Sequence, residues 1–225
     1  MIQITEGQKK TTTRFKYILL KTLFNFIKNN FDASFVNPCD ASILKKSFRN
    51  SRGRQWTILE KEVVDEIIFK AENPRNRLML ELMARGGMRI GEVLKLRVMD
   101  VEDCKLFLLN PKSGRQNEVV FIPKKVADRL KDYIRSKNIT DEERVFPLGY
   151  TGARQRVKKA GRKIGVEISP HDLRRHAATF ASRSGAPIEI VSKIILRHAN
   201  LSTTQLYLGK VSDSEAMRWI ENIFN

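Results

Sequence analysis

The sequence predicts a mostly α-helical protein with one small antiparallel β-sheet, an α+β arrangement. Three observations carry this expectation. Apolar residues recur at helical spacing through most of the chain, in segments separated by Gly and Pro. Two neighbouring runs, 105–109 and 118–122, read as the strands of a hairpin, with Ser113-Gly114 between them as its tip. A basic stretch with Gly53 and several serines separates a short front segment from the remainder.

The front segment has one clear helix over 14–29, where Phe15, Ile18, Leu19, Leu23, Phe26 and Ile27 form an apolar face. Asn37-Pro38 breaks the pattern. The basic stretch follows, with Lys45, Lys46, Arg49, Arg52 and Arg54, and reads as a linker. Thr57-Ile58-Leu59-Glu60 has the form of a capping box, opening a helix with Val63, Val64, Ile67 and Ile68 inward. Asn73-Pro74 ends it. Leu78, Leu80, Leu82 and Met83 mark the next helix, stopped at Gly86-Gly87, and a short helix then carries Arg89 and Glu92. A short strand over 98–101 is expected to pair with the hairpin. Helices follow over 124–137, 152–164, 170–184, 187–196 and 213–223; Ser169-Pro170 supplies an N-cap and a proline at the first helical position. The expected organisation is a helical segment over 1–50, a linker over 51–56 and one domain over 57–225.

The charge is lopsided: 42 Lys and Arg stand against 25 Asp and Glu, a formal net charge of +17. Such an excess suits a polyanionic partner, because each phosphate met by Lys or Arg releases condensed counterions. No run reaches the roughly 18–20 apolar residues of a bilayer span, so no membrane partner is expected. The start of the chain is polar, without the apolar centre of a signal peptide. Cys39 and Cys104 are the only cysteines and lack CxxC spacing, which fits two buried free thiols and a reducing cytoplasm.

Six residues along the chain suit work on a phosphate: Arg89, Lys112, His171, Arg174, His198 and Tyr207. His171 and Arg174 stand three apart and share a helix face. A guanidinium there can bind phosphate through two parallel hydrogen bonds. Arg89 follows a Gly-Gly turn and opens a helix, with Glu92 placed to orient it or to form a routine ion pair. Taken singly, each reads as well as a surface charge, and Tyr207 as a core tyrosine with a bonded hydroxyl.

Together, in this order, they resemble the tyrosine recombinase, or phage integrase, family. The resemblance runs over about 57–208. It rests on Arg89-Ile90-Gly91-Glu92, the hairpin Lys112-Ser113-Gly114, His171-Asp172-Leu173-Arg174, His198 two residues after Leu196, and Tyr207 nine residues later. It implies the catalytic-domain fold of that family, preceded by a short helical segment. It further implies a site-specific enzyme in which Tyr207 attacks a DNA phosphorus, a 3′-phosphotyrosine forms and a 5′-hydroxyl leaves. The bond energy is kept, so neither ATP nor a metal or other cofactor is implied. Arg89, Arg174 and His198 then stabilise charge on the non-bridging oxygens. Lys112 is the general acid, and His171 assists proton removal from Tyr207. The implied partners are double-stranded DNA and, on it, a homo-oligomer, a tetramer; the implied location is the prokaryotic cytoplasm, at the nucleoid. Lys45, Lys46, Arg49, Arg52, Arg54, Arg115, Arg175 and Arg197 are candidate DNA contacts. Metal-assisted cleavage, the rival route, calls for clustered carboxylates, and the motifs hold none; Asp172 reads as a helix-start residue.

Two departures stand out. The family usually has glycine before the second histidine; here Arg197 stands there, either crowding the packing or adding a phosphate contact. Only about 50 residues precede the linker, where the family's DNA-clamping partner domain has roughly twice that. The front segment is therefore a shortened domain or one part of a longer or split protein. Lys105 and Arg115 share the hairpin with Lys112 and are alternatives to it. The apolar stripe of Ala216, Trp219, Ile220, Ile223 and Phe224 suits docking on a neighbouring protomer or on its own domain. A DNA-binding regulator without strand exchange, and supercoil relaxation of the type IB topoisomerase kind, are the alternative functions.

Overall fold

The computed structural model describes residues 7–49, 58–108 and 118–208, with Met217, Ile220 and Glu221 beyond, and only the backbone of Leu206 and Tyr207. The chain divides into two units, residues 1–55 and 56–225. The expected linker over 51–56, Thr57 of the capping box and the hairpin tip lie outside the described residues. So does the terminal helix, apart from its helical Met217, Ile220 and Glu221.

In the first unit, α1 (Lys10–Asn30) is followed by a 3-10 turn (Pro38–Asp40) and α2 (Ser42–Ser47). A small core joins them. The Tyr17 ring stacks on Phe48 with centroids 4.9 Å apart, and its hydroxyl donates to the Cys39 carbonyl at 2.9 Å. Asn37 ties the turn to α1, donating to Lys21 O and Asn25 Oδ1 while accepting from the Cys39 N–H. The α1 face turned to this core carries Tyr17, Leu20 and Phe24, whereas Phe15, Ile18, Leu19 and Leu23 are exposed. The apolar face read from the sequence is thus not the packed one. Lys45 and Lys46 belong to α2 rather than to an extended linker, because Lys45 and Lys21 both pair with Asp40 and draw the helix onto the turn.

The second unit is built round α4 (Pro74–Arg85). Asn73 caps it, accepting from the Asn76 N–H, so Asn73-Pro74 both ends one helix and starts the next. Every residue from Leu78 to Ala84 is buried, as expected of a helix covered on all sides. Its one buried charge, Glu81, accepts two hydrogen bonds from Arg129 at 2.7 and 3.1 Å. Around α4 lie α3 (Lys61–Phe69), α6 (Lys124–Ser136), α7 (Tyr150–Arg162) and α8 (Pro170–Arg183). α3 begins after Glu60, one turn later than a cap at Thr57 predicts, and Glu60 makes no side-chain cap.

The sheet has the order β1-β2-β3, all antiparallel: Val101–Glu102, Lys105–Leu108 and Glu118–Phe121. Leu106 faces Val120 across the ladder, and both are fully buried. The strand expected over 98–101 is shorter than that: Val98–Asp100 forms a 3-10 turn, held where Asp100 accepts from the Arg97 N–H. Cys104, expected to be buried, is only half-buried, and both cysteines are free thiols. After α8 come α9 (Ile188–Ile190), continued by a π-helical turn (Val191–Ile195), and α10 (Leu201–Leu208). Among the described residues, no helix is long and apolar enough to cross a membrane.

One position sets packing against propensity. Gly161 sits inside α7, where Ala is favoured over Gly by about 1 kcal/mol. A Cβ there would lie 2.5 Å from the Val166 carbonyl oxygen and 2.6 Å from Ile168 Cγ1. Gly161→Ala is expected to destabilise the protein by about 1–3 kcal/mol in urea unfolding, because overpacking outweighs the helix gain. A gain in stability would show that the turn after α7 yields freely.

Candidate active site

The buried Arg174 organises the site. It is 1% exposed on α8, and its two terminal nitrogens donate to the carbonyls of Gly87 and Leu196. Gly87 belongs to the turn before Arg89, and Leu196 stands two residues before His198. One side chain thus fixes the two loops that carry the other cationic residues. The Gly87 turn also needs its glycine: φ is +62°, and a Cβ would lie 2.8 Å from Ile195 Cγ2 and from Ile195 O.

Local rules place each remaining side chain. Ser169 begins α8, its N–H and hydroxyl both donating to Asp172, and Pro170 takes the first helical position. His171 therefore stands in the first turn, one turn before Arg174. Arg89 occupies the N-cap of α5 (Ile90–Lys95). Its backbone N–H donates to Glu92 Oε2 at 2.8 Å and its Nη1 to Glu92 Oε1 at 2.6 Å. Arg89, His171 and Arg174 line one cleft of about 490 Å³, with Lys95, Arg97, Arg144 and Tyr150 on its walls.

His198 precedes α10. Its Nδ1 lies 3.0 Å from Thr204 Oγ1, and the Thr204 hydroxyl donates to Ser192 Oγ at 2.8 Å. Thr204 and Ser192 are both buried, so the imidazole is held by a closed hydroxyl pair. Burial, followed by the charges of Arg174, Arg89 and Arg197, lowers the His198 pKa to about 4. Burial and Arg174 also hold His171 below the usual histidine range. Both rings are neutral near pH 7 in the free protein. Tyr207 lies on the backbone of α10, nine residues after His198.

The site therefore gathers Arg89, His171 and Arg174 at one cleft, with His198 within electrostatic reach of both arginines. Lys112, Arg115, Arg52 and Arg54 lie outside the described residues. Lys45, Lys46 and Arg49 are exposed on the first unit. Two of the candidate DNA contacts are buried. Arg175 is buried and donates to Asp172 at 3.0 Å, so it braces the start of α8. Arg197 is 3% exposed and donates to Glu92 at 2.6 Å. It faces inward because its backbone, at φ +50°, turns the side chain under the Gly87 loop. His176 donates from Nδ1 to Leu59 O and stacks on Phe180. Glu118, Thr204 and Ser192 were missed. Glu118 had a signal, since it stands two residues before Val120 and so shares its inward face.

Comparison with known proteins agrees in extent with this site. The model of the phage integrase family matches residues 57–213, the stretch that holds all six candidate residues. The chain is 32% identical over 158 residues to tyrosine recombinase XerA of Pyrococcus horikoshii, covering 66% of this chain and 55% of that protein. It is 30% identical over 224 residues to a tyrosine recombinase of Thermosipho africanus, covering 94% and 76%. Against XerA of P. horikoshii, Saccharolobus solfataricus and Thermococcus kodakarensis, the chain spans about half of the relative's length. In fold it is similar to a crystal structure of XerA recombinase, with a TM-score of 0.66 at 18% identity over 100% of this chain and 79% of that one. It is also similar to XerH recombinase bound to a palindromic difH substrate, with a TM-score of 0.74 at 19% identity over 99% and 69%. With one family's model covering the whole stretch from before Arg89 to beyond Tyr207, the chain belongs to the phage integrase family.

Proposed function

We propose that the chain breaks and rejoins duplex DNA at specific sites, through a covalent 3′-phosphotyrosine on Tyr207. The observation that carries this reading is the cleft where Arg89, His171 and Arg174 meet, with His198 beside both arginines and Tyr207 on the helix that follows. The relatives named tyrosine recombinase support it.

The chemistry is a phosphoryl transfer. The Tyr207 hydroxyl oxygen forms a bond to phosphorus, and the bond from phosphorus to the 5′-oxygen breaks. Neutral His171 accepts the tyrosine proton, which an unperturbed phenol of pKa about 10 does not release unaided at pH 7. Lys112 supplies the proton that the departing 5′-oxygen needs. Arg89 and Arg174 are fixed donors aimed at the non-bridging oxygens, where charge grows in the transition state. Attack by a second 5′-hydroxyl reverses these steps, and one phosphodiester replaces another without ATP. In this reading, the exposed Lys45, Lys46 and Arg49 of the first unit are DNA contacts. Copies of the chain assemble as a tetramer on DNA.

On a nicked suicide duplex carrying the protein's site, wild type is expected to form a covalent adduct that survives denaturing gels. Tyr207→Phe is expected to bind the same duplex without forming one. Binding by wild type with no adduct would identify a non-cleaving DNA-binding protein instead.

A second prediction concerns His198, whose low pKa reflects burial and three guanidiniums. A bound phosphate opposes those positive charges. In an NMR titration, His198 is expected to titrate near 4 in the free protein and above roughly 5 with DNA bound. An unchanged value would remove His198 from the phosphate. The sign for stability follows. Between about 4 and 6.5 the unfolded chain's His198 takes up a proton that the native one does not, so stability is present above 6.5 and falls as the pH drops toward 4.

A further inference from the structure

Arg197 combines three features that do not belong to a surface arginine. Its backbone is left-handed, at φ +50°, a conformation that favours glycine. Its side chain is 3% exposed. It also lies between two carboxylates on different elements. Nη2 is 2.6 Å from Glu92 Oε2 on α5, and Nε is 3.5 Å from Glu118 Oε2 on β3. Nη1 donates to the Ile195 carbonyl at 2.9 Å. A residue that accepts both an unfavourable backbone and a buried charge does so only where its surroundings hold it firmly.

Glu92 is shared between two arginines. Its Oε1 accepts from Arg89 Nη1, and its Oε2 accepts from both the Arg89 N–H and Arg197. Were Arg89 the only cation beside it, the carboxylate would hold Arg89 as a closed ion pair and cancel its field at the cleft. A second, buried guanidinium offsets that carboxylate from behind.

We propose that Arg197 is a positioning residue for strand cleavage: it is the buried counter-charge of Glu92, and it leaves the charge of Arg89 available to the DNA phosphate. The proposal rests on the reading of the cleft as a phosphoryl-transfer site. It gives the position before His198 a role that glycine cannot fill. Burial drives the Glu92 pKa up, but the charge of Arg197, then the two bonds from Arg89, bring it below the usual carboxylate range. The ionisable groups around this pair are Arg89 on the same helix, Glu118 on β3, and Arg174 and His198 within electrostatic reach.

Arg197→Met tests the charge while keeping a long side chain and the same backbone conformation. At saturating suicide duplex, its adduct rate is expected to fall about 10- to 100-fold, the scale of a displaced charge donor, with DNA affinity changed less than about twofold. Arg197→Lys is expected to recover most of the rate. Adding Glu92→Gln to Arg197→Met, which removes the competing carboxylate but keeps an acceptor for the Arg89 N–H, is expected to raise the rate above that of Arg197→Met alone. A full rate in Arg197→Met, or a further loss in the double variant, overturns the proposal.

If wild type forms no adduct, the functional reading fails and the charge role is read from urea unfolding. The midpoint lost in Arg197→Met is then expected to be largest at pH 8 and to shrink toward pH 5, as Glu92, left with Arg89 as its counter-charge, takes up a proton more readily. A loss independent of pH shows that Arg197 acts by packing alone, and the proposal is wrong.

Discussion

The guanidinium of Arg174 bridges the Gly87 and Leu196 carbonyls, and the geometry of the site follows from that bridge. Its two partners lie on loops far apart in the chain, one 87 residues before Arg174 and the other 22 after. The first loop delivers Arg89 to the start of α5, and the second delivers His198 to the start of α10. α8 carries Arg174 itself and, one turn earlier, His171. A buried charge that lost these carbonyls would carry a large desolvation cost, so the two loops and α8 are coupled. The glycines at 86 and 87 permit the close approach: a Cβ at either would meet Ile122 or Ile195 within 3 Å.

Charge is arranged in layers around this bridge. Arg89 and Arg197 pair with Glu92, and Arg197 also with Glu118, while Arg174 is held by backbone carbonyls. Two further bases, His171 and His198, are held below the usual histidine range by burial first and then by neighbouring guanidiniums. The free site is thereby neither saturated with protons nor closed by ion pairs. It is poised for an anion, whose arrival draws His198 toward its charged form. In the proposed function, binding and catalytic charge stabilisation come from the same few groups; the hydroxyl pair of Thr204 and Ser192 fixes the His198 ring beside them.

Much of this was legible in the sequence because it rests on local rules. Ser169-Pro170 with Asp172 marks the start of α8 within three residues, and the structure shows that cap in full. Asn73-Pro74 and Gly86-Gly87 bound the buried helix α4 as expected. What the sequence hid depends on partners distant in the chain. Arg197 and Glu92 are 105 residues apart, and a lone arginine after a helix reads as a surface charge until its acid is found. The burial of Arg175 was hidden for a different reason: its partner Asp172 is near, but spacing alone does not tell an exposed pair from a buried one. The front segment misled through its face. Phe15 and Leu23 follow the helical period as well as Tyr17 and Phe24 do, and the short turn at Pro38–Asp40 covers only the latter. The family resemblance supplied the roles, which spacing could not.

The central claim is that Arg89, Arg174 and His198 act on the charge of one phosphate. Replacing the phosphate at the cleavage point with an uncharged methylphosphonate removes that charge and leaves the rest of the duplex intact. The covalent adduct rate of Arg89→Ala should be compared with wild type on the two duplexes. On the natural phosphate, the account predicts a loss of about 10²–10³, as for removal of one transition-state donor. On the methylphosphonate it predicts a loss at least about tenfold smaller, because less charge remains to stabilise. An equal loss on both duplexes would mean that Arg89 supports the fold of the site and does not act on the scissile phosphate.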